Sequence, residues 1–136
     1  MNEENIINYY NKFNEDKRLL RRHGIVEYET AMKYILAYLK DFKEPKILDV
    51  GAGTGRYAIA LHKLGYDVTA LELVKHNLMT LRKNCSEFPS FQGTALDLTR
   101  FKDNSFEIVI LFGPMYHSIS DSDKIKALSE AKRVLK

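Results

Sequence analysis

The 136-residue sequence holds a single cysteine, Cys85, which excludes an intramolecular disulfide and any multi-cysteine metal site. No residue is assigned as a metal ligand. No apolar run approaches the roughly 20 residues that a bilayer-spanning helix needs. The opening Met1-Asn-Glu-Glu-Asn carries acid where a secretory signal carries base, and no apolar stretch follows it. A cytoplasmic protein without membrane contact is therefore expected. Strong charge of either sign is missing too. The net charge is +3, and the basic cluster Lys17-Arg18-Leu-Leu-Arg21-Arg22 is offset by Glu15, Asp16, Glu27 and Glu29, so nothing points clearly to nucleic acid. Repeats and low-complexity segments are absent. What remains is one domain's worth of chain, 45% hydrophobic and 29% charged, which is ordinary for a globular protein.

Residues 1–24 are polar and Asn-rich with interspersed Ile6, Ile7, Tyr9, Tyr10 and Phe13, and they read as a helical arm. From Val26 to Phe42 the residues Met32, Ile35, Leu36, Leu39 and Phe42 fall at helical spacing, and Pro45 then interrupts. Beyond Pro45 the period changes. Strands are predicted at Lys46–Val50, Tyr66–Leu71, Phe91–Ala95 and Phe106–Phe112, the last apolar enough for burial on both faces. Helices are predicted at Arg56–Leu64, closed by Gly65, at Val74–Cys85 and at Asp123–Leu135. Such alternation gives an α/β protein with a parallel sheet covered on both faces.

The most informative stretch is Asp49-Val-Gly-Ala-Gly-Thr-Gly55, a glycine loop between a strand and a helix. Gly51, Gly53 and Gly55 let the backbone turn sharply and keep side chains away from a ligand. The helix that follows offers unpaired amide groups at the loop mouth. About twenty residues on, Glu72 ends the second strand, where an acid can accept hydrogen bonds from both ribose hydroxyls of an adenosine.

Ile47-Leu-Asp-Val-Gly-Ala-Gly-Thr-Gly-Arg56 resembles motif I of the class I S-adenosylmethionine-dependent methyltransferases. The resemblance covers about residues 31–136 and implies a doubly wound, Rossmann-like core with strands 3-2-1-4 present and the C-terminal strands missing. It divides the chain into a helical arm, 1–30, and a cofactor-binding domain, 31–136, incomplete at its C-terminus. It implies S-adenosylmethionine as cofactor and S-adenosylhomocysteine as product. Asp49 would shape the methionine end, and Gly51, Ala52, Gly53 and Gly55 would pack against the amino acid and sulfonium. Glu72 matches the ribose acid, and Leu73 would lie on the adenine. In Ala95-Leu-Asp97-Leu98, Asp97 would take the adenine amino group and Leu98 would pack on the ring. Phe106 to Phe112 with Gly-Pro-Met-Tyr-His117 resembles motif IV, which adds Phe112 to the cofactor site and places Tyr116 and His117 on the acceptor side, as pocket wall and as base or orienting group.

A nicotinamide dehydrogenase would prefer Gly-x-Gly-x-x-Gly, and Arg56 occupies the place of its last glycine. A phosphate-binding loop would end in Gly-Lys-Ser/Thr, whereas Gly55 is followed by Arg-Tyr. Phe112-Gly-Pro-Met-Tyr116 lacks the polar residue and second proline of the enzymes that methylate exocyclic amines of DNA bases. Cys85 lies outside the loop where cytosine C5 enzymes keep their nucleophile. A small-molecule acceptor is expected, with a non-catalytic cofactor-binding or interaction module as the alternative. His23, Glu27 and Tyr28 of the arm could cap the site, while His62 and His76 read as solvent-facing. The Val-Leu-Lys ending suggests a longer catalytic domain. Without a following strand, the edge of strand four is expected to stay open and to promote self-association.

Overall fold

The computed structural model describes residues 2–12, 17, 21–117 and 120–136, and the side chains of Tyr10, Lys12 and His117 lie outside that description. In chain order the elements are α1 (Glu3–Lys12), α2 (Arg22–Leu39), β1 (Lys46–Val50), α3 (Arg56–Lys63), β2 (Asp67–Glu72) and α4 (Lys75–Asn84). They continue with β3 (Ser90–Gln92), β4 (Ile108–Ile110), α5 (Gly113–His117) and α6 (Asp121–Val134). The four strands are parallel in the order β3-β2-β1-β4. This is the Rossmann-like α/β core expected from the alternating pattern.

Alternation along β1 sends neighbouring side chains to opposite faces. Ile47, with Val68 and Ala70 of β2, packs beneath Met32, Ile35 and Leu39 of α2, Ala58 and Leu61 of α3 and Leu81 of α4. Leu48, Val50 and Leu71 face the other way, onto Leu98, Phe106 and the α6 residues Ala127 and Val134. Two apolar layers therefore sandwich the sheet. Helix α2 runs unbroken through residue 30, so arm and domain share one helix. No helix among the described residues is long and apolar enough to cross a membrane.

Local chemistry sets the helix limits. Gly65 ends α3 with a paired closure: its amide donates to the His62 carbonyl at 2.8 Å and the Tyr66 amide to the Leu61 carbonyl at 3.2 Å. Helix α6 begins two residues before the expected Asp123, because the Ser120 hydroxyl accepts from the Asp123 amide at 3.1 Å. Asp121 and Asp123 in its first turn and Lys132 and Arg133 in its last complement the helix dipole.

Four expectations are corrected. Strand β4 spans three residues rather than the expected seven, and only Ile110 is fully buried, because it lies at the sheet edge beside β1 alone. Strand β3 starts at Ser90 and ends at Gln92, and the Gly93 amide makes its last bond to β2 by donating to the Glu72 carbonyl. The segment expected as a loop after strand four contains the helical turn α5, which Pro114 fits by occupying an early position where no intrahelical donor is required. The strand-four edge is also partly closed. Phe106 donates to the Val134 carbonyl at 3.0 Å and accepts from the Lys136 amide at 2.9 Å, so the residues leaving α6 start a parallel pairing there.

Candidate active site

The C-terminal ends of the four parallel strands meet where the strand order reverses between β1 and β4, the place where open α/β sheets bind ligands. The glycine loop is anchored there by two amides, Gly51 and Ala52, which donate to the Leu71 carbonyl at 2.8 and 3.1 Å. Glu72 is 5% exposed. Its carboxylate accepts from the Gly53 amide at 2.7 Å and from the Val74 amide at 2.8 Å, which ties the loop to the end of β2.

The three glycines divide the work. A Cβ on Gly51 would sit 2.5 Å from Pro114 Cδ, so its lack of a side chain lets the start of α5 close onto the loop. Gly55 caps α3, where a Cβ would lie 2.8 Å from Leu81 Cγ. Gly53 differs: its φ is +58° and a Cβ would meet nothing within 4 Å. A side chain there would enter open space rather than packed core. Ala52 belongs to the core on the α2 side, and Leu73 is half-buried with its carbonyl accepting from Gln92 Nε2 at 3.1 Å.

Asp49 at the end of β1 is 2% exposed, and its Oδ2 is the one buried side-chain polar atom without a hydrogen-bond partner among the described residues. Burial, reinforced by the negative charge of Glu72 and opposed by the Ala58 amide, pushes its carboxyl up to about 7. Between the ordinary carboxylate range and about pH 7 the native state thus keeps a proton that the unfolded chain has lost. This group's contribution to stability therefore falls as pH rises through that window and levels off above it. Each pH unit in that window is worth about 1.4 kcal/mol. Asp49→Asn should flatten the fall, read as melting temperature between pH 4 and pH 8; an unchanged slope would mean that Asp49 ionises normally.

An aromatic cluster lies within electrostatic reach of Asp49. Tyr57, in the first turn of α3, stacks on Tyr28 of α2 at 5.4 Å and meets Phe112 edge-on at 5.4 Å. The Arg56 guanidinium lies 4.2 Å over the Tyr28 ring and donates to the Gly24 carbonyl at 3.4 Å. Burial, then the charge of Glu27, pushes the Tyr57 phenol up to about 12, with Asp49 and Tyr116 adding to the rise and Arg56 opposing it. Tyr57 therefore keeps its proton at neutral pH and can donate a hydrogen bond. Tyr116 is 75% exposed on α5. His117 ends α5, with its side chain outside the described residues. His23 is exposed, whereas Tyr28 is half-buried against Tyr57.

Asp97 and Leu98 lie past the end of β3 and differ in exposure. The Asp97 carboxylate closes its own turn by accepting from the Thr99 amide at 3.0 Å and the Thr99 hydroxyl at 2.6 Å, and the residue is exposed. Those bonds to Thr99 hold its carboxyl below the usual range. Leu98 is a core residue facing α6. Thr94, two residues past β3, was passed over by sequence reasoning. Its hydroxyl donates to the Glu3 carboxylate of α1 and accepts from the Leu96 amide at 3.2 Å. Tyr57 was passed over as well; its signal was its place two residues after the last glycine.

Known proteins resemble this chain in sequence and in fold. Residues 47–136 match the family described as "Methyltransferase domain". The chain is 30% identical over 114 residues to a ubiquinone biosynthesis O-methyltransferase of Rickettsia prowazekii, an alignment covering 81% of this chain and 44% of that protein. It is 34% identical over 108 residues to a demethylmenaquinone methyltransferase of Chlorobaculum tepidum, covering 78% and 43%. A solved protein of Pyrococcus horikoshii has the same fold, with a TM-score of 0.80 at 23% identity over 95% of this chain and 61% of its own. The chain belongs to the class I S-adenosylmethionine-dependent methyltransferase family. It spans less than half the length of the two curated relatives.

Proposed function

We propose that the chain is the cofactor-binding part of an enzyme that moves a methyl group from S-adenosylmethionine to a small-molecule acceptor, in the cytoplasm. The single observation that carries this reading is the pairing of two buried carboxylates, Asp49 and Glu72, beside the open space at Gly53. A cationic ligand with a nucleoside suits that pairing. The unpartnered Asp49 Oδ2 offers charge to the cationic methionine end, and Glu72 is placed for ribose hydroxyls. The family's cofactor, when bound, supplies an electrophilic methyl group on a sulfonium.

The chain's own residues then have distinct tasks. Gly53 leaves room for the ligand, Pro114 against Gly51 closes the loop, and Tyr57 with Phe112 keeps water from one wall. Positioning dominates in such a displacement, and a base is needed only where the acceptor must lose a proton. Tyr116 and His117 on α5 are the candidates for the acceptor side. The names of the curated relatives, which include quinone-pathway enzymes and a glycine/sarcosine N-methyltransferase, support a small acceptor without choosing one. Pairing of two β4 edges beyond Phe106 is a further reading for the isolated chain, testable by sedimentation, in which a monomer at every concentration would oppose it.

Ligand binding should depend on pH in a defined direction. A cation beside Asp49 favours its charged form, so binding below about pH 7 expels a proton. Affinity for S-adenosylmethionine should therefore rise as pH increases to about 7 and then level off, and Asp49→Asn should remove the slope. A flat wild-type profile would separate Asp49 from the ligand. In the full-length enzyme, His117→Ala should lower turnover while leaving cofactor affinity within a few fold. Equal losses in both would make His117 structural.

A further inference from the structure

We propose that the end of the sheet opposite the glycine loop carries a zinc-type metal site formed by His62, Cys85 and Glu87. No metal ligand is expected from the sequence, because these residues come from separate elements and only one is a cysteine. The fold brings them together. His62 lies in the last turn of α3, Cys85 immediately follows α4, and Glu87 lies in the connection to β3. One ligand atom from each, an imidazole nitrogen, the thiol sulfur and a carboxylate oxygen, lies within 4.8 Å of the other two.

One of the three ligand pairs already stands close to coordination spacing, and the sulfur lies within 4.8 Å of both. Donors around a tetrahedral zinc ion at about 2.0–2.3 Å stand roughly 3.3–3.6 Å apart. His62 Nε2 and Glu87 Oε2 are 3.1 Å apart already. The imidazole rests against the Phe88 ring at 5.2 Å, and the Cys85 amide donates to the Leu81 carbonyl at 2.8 Å, so two of the three ligands have supported backbones or rings. His62 is therefore not simply solvent-facing. The Cys85 side chain packs partly against the core, while the Glu87 side chain is 78% exposed, so an ion can enter from solvent and meet a partly sheltered sulfur.

The donor set selects the metal class. One nitrogen, one sulfur and one oxygen suit zinc and its cobalt stand-in, whereas calcium and magnesium require oxygen throughout. Three protein ligands leave a fourth position for water. Coordination takes the thiolate, so the thiol proton passes to solvent on binding. The site lies at the N-terminal ends of the strands, away from Gly53 and α5. Its effect is to fasten the end of α3 to the α4–β3 connection, and not to take part in methyl transfer.

The test uses the whole chain, reduced, stripped with a chelator and re-equilibrated with zinc or cobalt. The expected results are one zinc ion per chain, a higher melting temperature with zinc, slower alkylation of Cys85, and a thiolate-to-metal charge-transfer band with cobalt. Glu87→Gln changes an exposed side chain and keeps the fold intact; with His62→Ala and Cys85→Ser it should weaken zinc binding roughly tenfold or more. Cys85→Ser should also abolish the cobalt band. Absence of stoichiometric zinc, zinc held equally tightly by all three variants, or a cobalt complex without the thiolate band would overturn the proposal.

Discussion

Gly53→Val is expected to abolish binding of S-adenosylmethionine and S-adenosylhomocysteine while leaving the chain folded. Gly53 has φ +58°, where a side chain other than glycine's is strained by about 1–2 kcal/mol. A valine there projects into open space at the site rather than into core, so the folding penalty is limited to strain. The binding penalty is larger, because the isopropyl group occupies ligand volume. An affinity loss of ~100-fold, or about 2.8 kcal/mol, is a lower expectation. Gly65→Val is the matched control: its φ is +93° and its Cβ also meets nothing within 4 Å, but it lies at the end of α3 away from the loop. Calorimetry and melting should show both variants destabilised and only Gly53→Val unable to bind. Equal binding by the two would remove Gly53 from the site.

Glu72→Ala should have the second-largest effect, and on two observables. The buried carboxylate holds the Gly53 and Val74 amides, so its loss leaves those donors without their acceptor at about 1–3 kcal/mol each. Cofactor affinity should fall by a similar amount, as ribose hydroxyls lose charge-assisted partners. Glu72→Gln keeps one acceptor oxygen but turns its NH2 toward the other backbone amide, so it should recover only part of the stability and less of the affinity. Removing the negative charge should also lower the Asp49 carboxyl from about 7, which moves the pH dependence of stability to lower pH. If Glu72→Ala binds normally, the carboxylate serves only to tie the loop to β2.

Much of this was readable in the residues. The Lys46–Val50 strand, the glycine loop, Glu72 and the Gly65 stop each follow from local rules of period, left-handed turns and helix closure, and each stands where those rules put it. Failures came where tertiary contacts decide. Asp97 reads as a ligand-binding acid because it is an acid after strand three, and no local pattern shows that Thr99 also turns its amide and hydroxyl onto one of its oxygens. Thr94 and Glu3 are 91 positions apart, and no local pattern announces their bond. Tyr57 needed the packing of α2 against α3 before its aromatic wall could be seen. Strand β4 was overestimated because apolar composition reports burial but not how far a partner strand extends.

The most direct test of the central reading is calorimetric titration of S-adenosylhomocysteine into this chain at pH 7.5, with NADH as the comparison ligand. One-to-one binding of S-adenosylhomocysteine, none of NADH, and loss of the binding in Gly53→Val are predicted. Binding of NADH without S-adenosylhomocysteine, or S-adenosylhomocysteine binding that Gly53→Val leaves intact, would contradict the assignment of Asp49, Gly53 and Glu72 to an S-adenosylmethionine site.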